Sequence, residues 1–241
     1  MEIEAKKLVK TFKGRKVLDS VSFRIKGPGI VGYLGPNGAG KTTTFKIFSN
    51  LISADSGDAY TNGINTRNYK NALREAAVLV GDPEPYSEMT IKEFLMFIGS
   101  IREMSKKTTE KRIIELKNSL NLEDLDKNCG ILSKGNRQRV ILAATLLPNT
   151  DVIMLDEPTD GLDPMEVYDI KRILKQIGKK KLIFLSSHIL EEVRELCREI
   201  ICIDHGRIIA SGSVKTIERK FGRGKGLEKA YINLFKGDHG N

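Results

Sequence analysis

The sequence predicts an α/β fold with a mostly parallel sheet, an N-terminal antiparallel β subdomain and an inserted helical subdomain. Three observations lead to this class: strand-type alternation at the start of the chain, helical periodicity alone in its middle, and short β-type apolar runs alternating with helical stretches after it. With 241 residues the chain can bury a substantial core, as one large α/β domain or as a core carrying one inserted subdomain.

The N-terminal segment has the pattern of a half-buried antiparallel edge. Residues 3–9 and 21–25 alternate apolar and polar side chains, and residues 13–15 supply a turn between them. The apolar run 29–34 predicts a buried strand, and residues 42–51 carry apolar side chains at helical spacing. The expected order is therefore strand, glycine-rich loop and helix.

The glycine-rich loop predicts a P-loop NTPase core. Its sequence, Gly35-Pro36-Asn37-Gly38-Ala39-Gly40-Lys41-Thr42, matches G-x-x-x-x-G-K-[ST], in which backbone N–H groups and the helix N-terminus converge on phosphate oxygens. Lys41 adds a charge for the β- and γ-phosphates, and the Thr42 hydroxyl is placed to ligate Mg²⁺. Kinases, GTPases and motor ATPases all fit this pattern, so further residues must choose among them.

Two acids and a histidine follow predicted buried strands and favour hydrolysis. The run 152–155 ends in Asp156, placed to hold Mg²⁺, and Glu157, which points differently and can polarise an attacking water as a general base. The run 182–185 leads to His188. Because parallel strands end at the same crevice, His188 can donate to the γ-phosphate and orient the water.

The middle of the chain, from residue 90 to about residue 147, has helical periodicity and no strand signal. We therefore expect one domain over 1–241, with a helical subdomain inserted in the core at 85–148. The short tail 220–241 is amphipathic at best and polar at its end, so we expect it to fray.

Composition narrows the choice of partners. Lys plus Arg number 40 against 31 acids, a net charge of +9 that would suit an anionic partner, but the charges are dispersed and only 6% of residues are aromatic, so we expect no nucleic acid. No stretch approaches the about 20 apolar residues of a membrane helix or resembles a signal peptide, which favours a cytoplasmic location. The cysteines Cys129, Cys197 and Cys202 are expected to be reduced thiols without chemistry.

Together with the segments 132–139 and 160–163, these motifs make the chain resemble the nucleotide-binding domain of an ABC transporter ATPase. The order is that of the family: an upstream aromatic residue, Walker A, a helical insert, the signature, Walker B, the D-loop and the switch histidine. The loop 35–44 and the run Leu132-Ser133-Lys134-Gly135 look closest to export-type members for drugs, sodium or polysaccharides.

The resemblance implies that two such domains pair head to tail, so that the signature of one closes over the nucleotide of the other. Asp163 would then belong to the dimer contact, and Phe12 would stack on adenine beside Val17. The implied catalytic residues are Glu157, His188 and Lys41. The implied nucleotide-binding residues are Phe12, Val17, Gly35, Pro36, Asn37, Gly38, Ala39, Gly40, Lys41, Thr42 and Thr43. The implied contacts to the partner's nucleotide are Ser133, Gly135 and Asn136.

The sequence departs from the family in two places. Lys134 and Asn136 replace a Gly and the Gln of the usual Leu-Ser-Gly-Gly-Gln signature. The segment 78–86, where the family carries a glutamine, has none, and Gly81 falls at that position. Asp82 beside it, or Glu84, is a candidate to supply an oxygen for Mg²⁺ or for the water, although an acid near phosphate also repels it.

The implied function is an ATP-binding and ATP-hydrolysing subunit, with ATP and Mg²⁺, that pairs with itself or a sister subunit. It would power a separate integral membrane permease, an exporter, from the cytoplasmic face, with the helical insert and residues 81–88 as the docking surface. The alternative is a soluble ABC ATPase acting in translation or DNA maintenance, whose relatives usually carry two domains or a long coiled-coil insert. A non-hydrolysing nucleotide sensor is favoured only by the missing glutamine.

Overall fold

The structure, a computed structural model, describes residues 1–236 of the chain. In chain order the strands are β1 (Glu2–Phe12), β2 (Arg15–Lys26), β3 (Gly29–Leu34), β4 (Ser56–Thr61), β5 (Ile64–Asn65), β6 (Ala76–Leu79), β7 (Val152–Asp156), β8 (Leu182–Ser187), β9 (Glu199–Asp204) and β10 (Arg207–Ser213). The α-helices are α1 (Lys41–Phe48), α2 (Tyr69–Glu75), α3 (Ile91–Ile101), α4 (Lys106–Leu120), α5 (Lys134–Leu146), α6 (Pro164–Gly178), α7 (Leu190–Leu196), α8 (Val214–Gly222) and α9 (Gly226–Lys236).

Two sheets organise these elements, and they confirm the predicted fold class. The N-terminal sheet is antiparallel, with strand order β2-β1-β4-β5. The second sheet has the order β10-β9-β3-β8-β7-β6 and is parallel except for the β9–β10 pair. β1 and β2 extend beyond the predicted 3–9 and 21–25 because register shifts after Ala5 carry the pairing past the residues where the alternation breaks.

Apolar residues bury both faces of the central strands, as a parallel sheet requires. On one face Phe45 of α1 stacks on Phe184 of β8, with ring centroids 5.0 Å apart, and Tyr33 of β3 lies 5.2 Å from Phe184. On the other face the core includes side chains of α5, α6 and α7. This packing fixes α1 against the strands whose ends carry the predicted site residues.

The segment between β6 and β7 contains α3, α4 and α5. All three helices begin at polar caps that the sequence provides. Thr90 and Glu93 form a capping box on α3, Ser105 accepts a hydrogen bond from the Thr108 N–H on α4, and Ser133 caps α5. Their apolar faces join the main core through residues such as Leu95 and Leu120. Helical structure therefore occupies the middle of the chain, where the periodicity predicts it.

The tail differs from the fraying predicted for 220–241. α8 and α9 lie against each other, and Leu227 and Ala230 are buried in the main core. Short amphipathic helices of this kind gain their stability from packing rather than from local propensity, so the local sequence understates them. Residues 237–241 lie outside the described part of the chain.

Within residues 1–236, no helix combines the length and apolar character that crossing a bilayer requires. The three cysteines are free and buried. Burial raises the pKa of the Cys197 and Cys202 thiols to about 12, which makes the reactive thiolate scarce at neutral pH.

Candidate active site

The predicted site residues meet at one edge of the parallel sheet. β3 and β8 are paired so that Leu34 faces Ser187, and β7 and β8 so that Asp156 faces Ser186. The carboxyl ends of the three strands therefore lie side by side, where α/β sheets bind ligands. The glycine-rich loop, the two acids and His188 follow directly from these ends.

The glycine-rich loop is packed too closely for side chains at two of its glycines. A Cβ on Gly35 would lie 2.3 Å from the Ile203 carbonyl oxygen. Gly40 has φ of 109°, and a Cβ there would lie 2.7 Å from Leu18 Cδ2. The loop therefore needs glycine at both positions, and Gly40 ends it directly before α1, whose first N–H groups have no intrahelical acceptor.

Lys41 is buried between the loop and the acids. Its Nζ donates to the carbonyl oxygens of Gly35 at 2.8 Å and Pro36 at 3.2 Å, and it lies 3.3 Å from Glu157 Oε1. A buried ammonium group needs such partners. Lys41 thereby carries its positive charge to the point where the loop and the end of β7 meet.

The two acids point to different partners, as the sequence predicts. Asp156 is buried, and its Oδ1 accepts a 2.5 Å hydrogen bond from Ser186 Oγ, which in turn accepts from the Glu157 N–H at 2.9 Å. Glu157 has a left-handed backbone, φ of 48°, and its Oε2 lies 2.9 Å from His188 Nδ1. The turn at Glu157 therefore separates a buried carboxylate from one that faces Lys41 and His188.

Thr42, Asp82 and Asp156 line one cleft beside the loop. The cleft is also lined by Gly81, Lys134, Gln138, Glu157 and Asp160. Hydroxyl and carboxylate oxygens are ligands that suit Mg²⁺, so this donor set fits the ion. Glu84 belongs to a different, apolar cleft, which leaves Asp82 as the candidate of the two. Donor atoms of Glu157, Asp160 and His188 also lie within 4.8 Å of one another.

Val17 lies against the loop, and Phe12 is the last residue of the preceding strand. A Cβ on Gly40 would be 3.0 Å from the Val17 carbonyl oxygen, which brings the start of β2 to the loop. The Phe12 ring at the end of β1 is 44% exposed, and Lys10 Nζ stands 5.4 Å from its centroid. Phe12 therefore has a ring face at the surface rather than a place in the core.

The signature residues begin α5, and only one of the three predicted contacts to a partner's nucleotide is exposed. Ser133 caps the helix by accepting from the Asn136 N–H at 3.2 Å. Gly135 is buried beneath the Glu166 carboxylate, whose Oε1 would be 1.5 Å from a Cβ on Gly135. Asn136 donates its side-chain amide to Glu123 Oε1. Ser133 alone is thus open to an approaching chain.

Asp163 begins α6 with a capping box. Its Oδ1 accepts from the N–H groups of Met165 and Glu166, each at 2.9 Å, and the Glu166 carboxylate accepts from the Asp163 N–H at 3.3 Å. Glu166 was not among the predicted site residues, although an Asp followed by Glu three residues later is a signal for such a box. Ser186 was not predicted either, although it stands in the short run before His188.

The fold and this site define the class of protein as the nucleotide-binding domain of an ABC transporter. The sequence model of that family, described as ABC transporter, matches residues 18–160, and the chain belongs to this family. It is 33% identical over 221 residues to the lipopolysaccharide export system ATP-binding protein LptB of Haemophilus influenzae, covering 89% of this chain and 92% of that protein.

Other relatives agree with this assignment. The chain is 32% identical over 206 residues to the ABC transporter ATP-binding protein NatA of Bacillus subtilis, covering 84% of each. A solved structure of an ATP-binding subunit of an ABC transporter has a TM-score of 0.88 and 29% identity, covering 97% of this chain and 99% of that one. The predicted family is therefore confirmed: the chain is an ATP-binding and ATP-hydrolysing subunit that pairs with a second such domain and powers a membrane permease.

Proposed function

We propose that this chain is the ATPase of an exporter, and that it binds ATP on residues 35–43 and hydrolyses it with Glu157, His188 and Lys41. The single observation that carries the proposal is the contact of Glu157 with both Lys41, at 3.3 Å, and His188, at 2.9 Å, at the strand ends that flank the loop. Similarity to the ATP-binding protein of a lipopolysaccharide export system supports the direction of transport.

Nucleotide binding changes the partners of Lys41. The phosphate oxygens of ATP offer its ammonium group anionic acceptors in place of the carbonyl oxygens of Gly35 and Pro36. Backbone N–H groups of the loop and of the first turn of α1, including Thr42 and Thr43, bind the remaining phosphate oxygens. The adenine ring stacks on the exposed face of Phe12, with Val17 as its apolar neighbour.

Hydrolysis depends on the Glu157 carboxylate. When Lys41 turns to phosphate, Glu157 Oε1 loses its cationic neighbour and can accept a proton from a water molecule in line with the γ-phosphate. In its imidazolium form, in which both ring nitrogens donate, His188 holds the other carboxylate oxygen through Nδ1 and can donate to the γ-phosphate through Nε2. The pair thus orients the water and the phosphate together.

Thr42 and Asp156 would hold Mg²⁺, with Asp82 as a further candidate from the same cleft. When bound, the ion would neutralise charge on the phosphate oxygens. Asp156→Asn is expected to raise the Mg²⁺ concentration for half-maximal phosphate release by about tenfold or more, and Asp82→Asn by a smaller factor. Glu84→Gln is the matched control, because Glu84 lies outside this cleft. An Asp156→Asn titration that overlays the parent would contradict the assignment.

In the proposed pair, Ser133 approaches the γ-phosphate held by the partner, and the N-terminus of α5 favours that negative charge. Gly135 can contact that phosphate only when the Glu166 carboxylate rotates away from it. Asn136 can contact it only when its side-chain amide leaves Glu123. Asp163 lies in the contact between the two sites. Side chains of the same chain therefore occupy Gly135 and Asn136 until a partner's phosphate competes for these two residues.

An apolar cleft between the helical segment and the sheet is the proposed docking surface for the permease. It is lined by β6 and α3 residues, and its exposed side chains include Leu51, Tyr86, Phe97 and Ile101. Contiguous apolar surface of this kind marks an interaction site. The docked chain is thereby held on the cytoplasmic face of the membrane.

Ile101→Asp is expected to lower recovery of the permease with the tagged chain by about tenfold, because a charge in a desolvated contact costs more than the apolar contact contributes. The measurement is affinity purification from detergent-solubilised membranes of the native host. Ile114→Asp is the control: Ile114 is 54% exposed on α4, Ile101 is 59% exposed on α3, and only Ile101 lines the cleft. Equal recovery with both variants would rule out this cleft as the docking surface.

A further inference from the structure

Glu192 of α7 is a buried carboxylate for which the ATP site described above has no use. Glu192 is 3% exposed, and none of the described cationic side chains forms an ion pair with it. One oxygen, Oε2, accepts from Thr159 Oγ1 at 2.9 Å and from Ser187 Oγ at 3.1 Å. The other, Oε1, has no hydrogen-bond partner within the part of the chain that the structure describes. Burying a carboxylate in this way costs free energy, so a compensating role is expected.

The two hydroxyl groups that Glu192 binds belong to the two segments that carry the site. Thr159 is two residues after Glu157, and Ser187 immediately precedes His188. Both hydroxyl groups are buried with Glu192. The buried carboxylate therefore bridges the segment of the proposed base and the segment of the histidine, whose own side chains meet at 2.9 Å.

A second set of bonds joins the same segments further back along the strands. Ser186 Oγ donates to Asp156 and accepts from the Glu157 N–H. These bonds hold the strand ends, but they lie before the left-handed turn at Glu157, where φ is 48°. The residues after that turn are tied to the Ser187 side by Glu192, through its hydrogen bonds with the hydroxyl groups of Thr159 and Ser187.

We propose that Glu192 is a positioning residue that keeps the Glu157 carboxylate and the His188 ring at hydrogen-bonding distance. The inference rests on the proposed function of Glu157 and His188. Loss of the bridge frees the turn 157–159 from the segment that carries His188, while the loop that binds ATP keeps its own contacts to Ile203 and Leu18. We therefore expect a lower rate of ATP turnover and unchanged ATP binding.

Glu192→Ala is expected to lower kcat by about tenfold to a hundredfold, with the KM for ATP within about twofold of the parent. Glu192→Gln is expected to retain most of the turnover. Its carbonyl oxygen can accept from both hydroxyl groups, and its NH₂ group takes the position of Oε1, which has no bond to lose. Thr159→Val removes one of the two bonds without changing the size of the side chain and should lower kcat in the same direction.

Thr150→Val is the matched control for the loss of a buried hydroxyl. Thr150 bonds to the Val152 carbonyl oxygen at the opposite end of β7, so its variant should lose thermal stability but keep kcat. Three results would each overturn the inference: kcat of Glu192→Ala within about twofold of the parent, an equal loss in Thr150→Val, or Glu192→Gln as slow as Glu192→Ala. If Glu192→Ala does not fold, unchanged kcat in Thr159→Val overturns it instead.

Glu157→Gln separates this inference from the function on which it rests. Turnover that survives Glu157→Gln would overturn the proposed base, and the positioning role with it. Turnover that is lost in Glu157→Gln but unaffected in Glu192→Ala and Thr159→Val would overturn the positioning role alone.

Discussion

Glu157→Gln should lower the ATP turnover of the purified chain by about a hundredfold or more, which is the usual contribution of a general base. Glutamine keeps the length of the side chain and can still bond to His188, but its amide cannot take a proton from water. Lys41 loses only one of its three contacts, so ATP binding should persist. The measurements are phosphate release under saturating ATP and binding of a fluorescent ATP analogue to the same preparation.

The matched control is Glu191→Gln on α7. Glu191 has a side chain that is 74% exposed and forms an ion pair with Arg194, at 3.8 Å, so its variant should keep the parental rate. Asp160→Asn tests the nearest competitor, because donor atoms of Asp160, Glu157 and His188 lie within 4.8 Å of one another. Full turnover in Glu157→Gln with none in Asp160→Asn would move the general base to Asp160.

Local patterns in the sequence were sufficient to predict the loop, the helix and the strand ends that form the site. The run 29–34, the glycine loop and α1 follow the predicted order, and Asp156, Glu157 and His188 stand at the carboxyl ends of paired strands. These features depend on strand periodicity and on the rule that parallel strands end at one crevice, both of which act over a few residues. The residues that stand at this edge of the sheet were therefore predictable from separate short segments of the sequence.

The side-chain contacts that cover the signature and that join the segments of the site could not be predicted in the same way. Glu166 lies over Gly135, 31 residues earlier, and Glu192 bonds to Thr159, 33 residues earlier. No periodicity connects such positions, because each pairing depends on how a helix packs after the sheet has formed. The same holds for α9, whose packing against the core overrides a weak local signal.

Lys134 departs from the family's usual signature, and only the structure shows where its charge lies. Its Nζ would be 2.1 Å from a Cβ on Gly161, so the side chain extends to the D-loop of its own chain. It also lines the cleft that contains Asp156 and Asp160. The charge therefore lies near acids that would otherwise repel one another and the phosphates, rather than projecting away from the chain.

The second large effect is expected on pairing. With Glu157→Gln to prevent hydrolysis, ATP should convert the chain to a dimer, and adding Ser133→Arg should keep it monomeric at the same ATP concentration. Ser133 is exposed at the start of α5, so an arginine there fills the surface that a partner's nucleotide must reach. ATP binding to the monomer should remain, because Ser133 does not line the cleft of its own chain. Light scattering coupled to size-exclusion chromatography measures both states.

Ser105→Arg in the same background isolates the effect of position from the effect of losing a helix cap. Ser105 is also exposed and also caps its helix, accepting from the Thr108 N–H at 3.2 Å, much as Ser133 accepts from Asn136 at 3.2 Å. Each substitution should cost about 1 kcal/mol of stability through the lost cap. Only Ser133→Arg should prevent the dimer, because only Ser133 lies in the signature. A dimer that forms in both variants would show that Ser133 does not face the partner's nucleotide, and a dimer lost in both would trace the effect to stability alone.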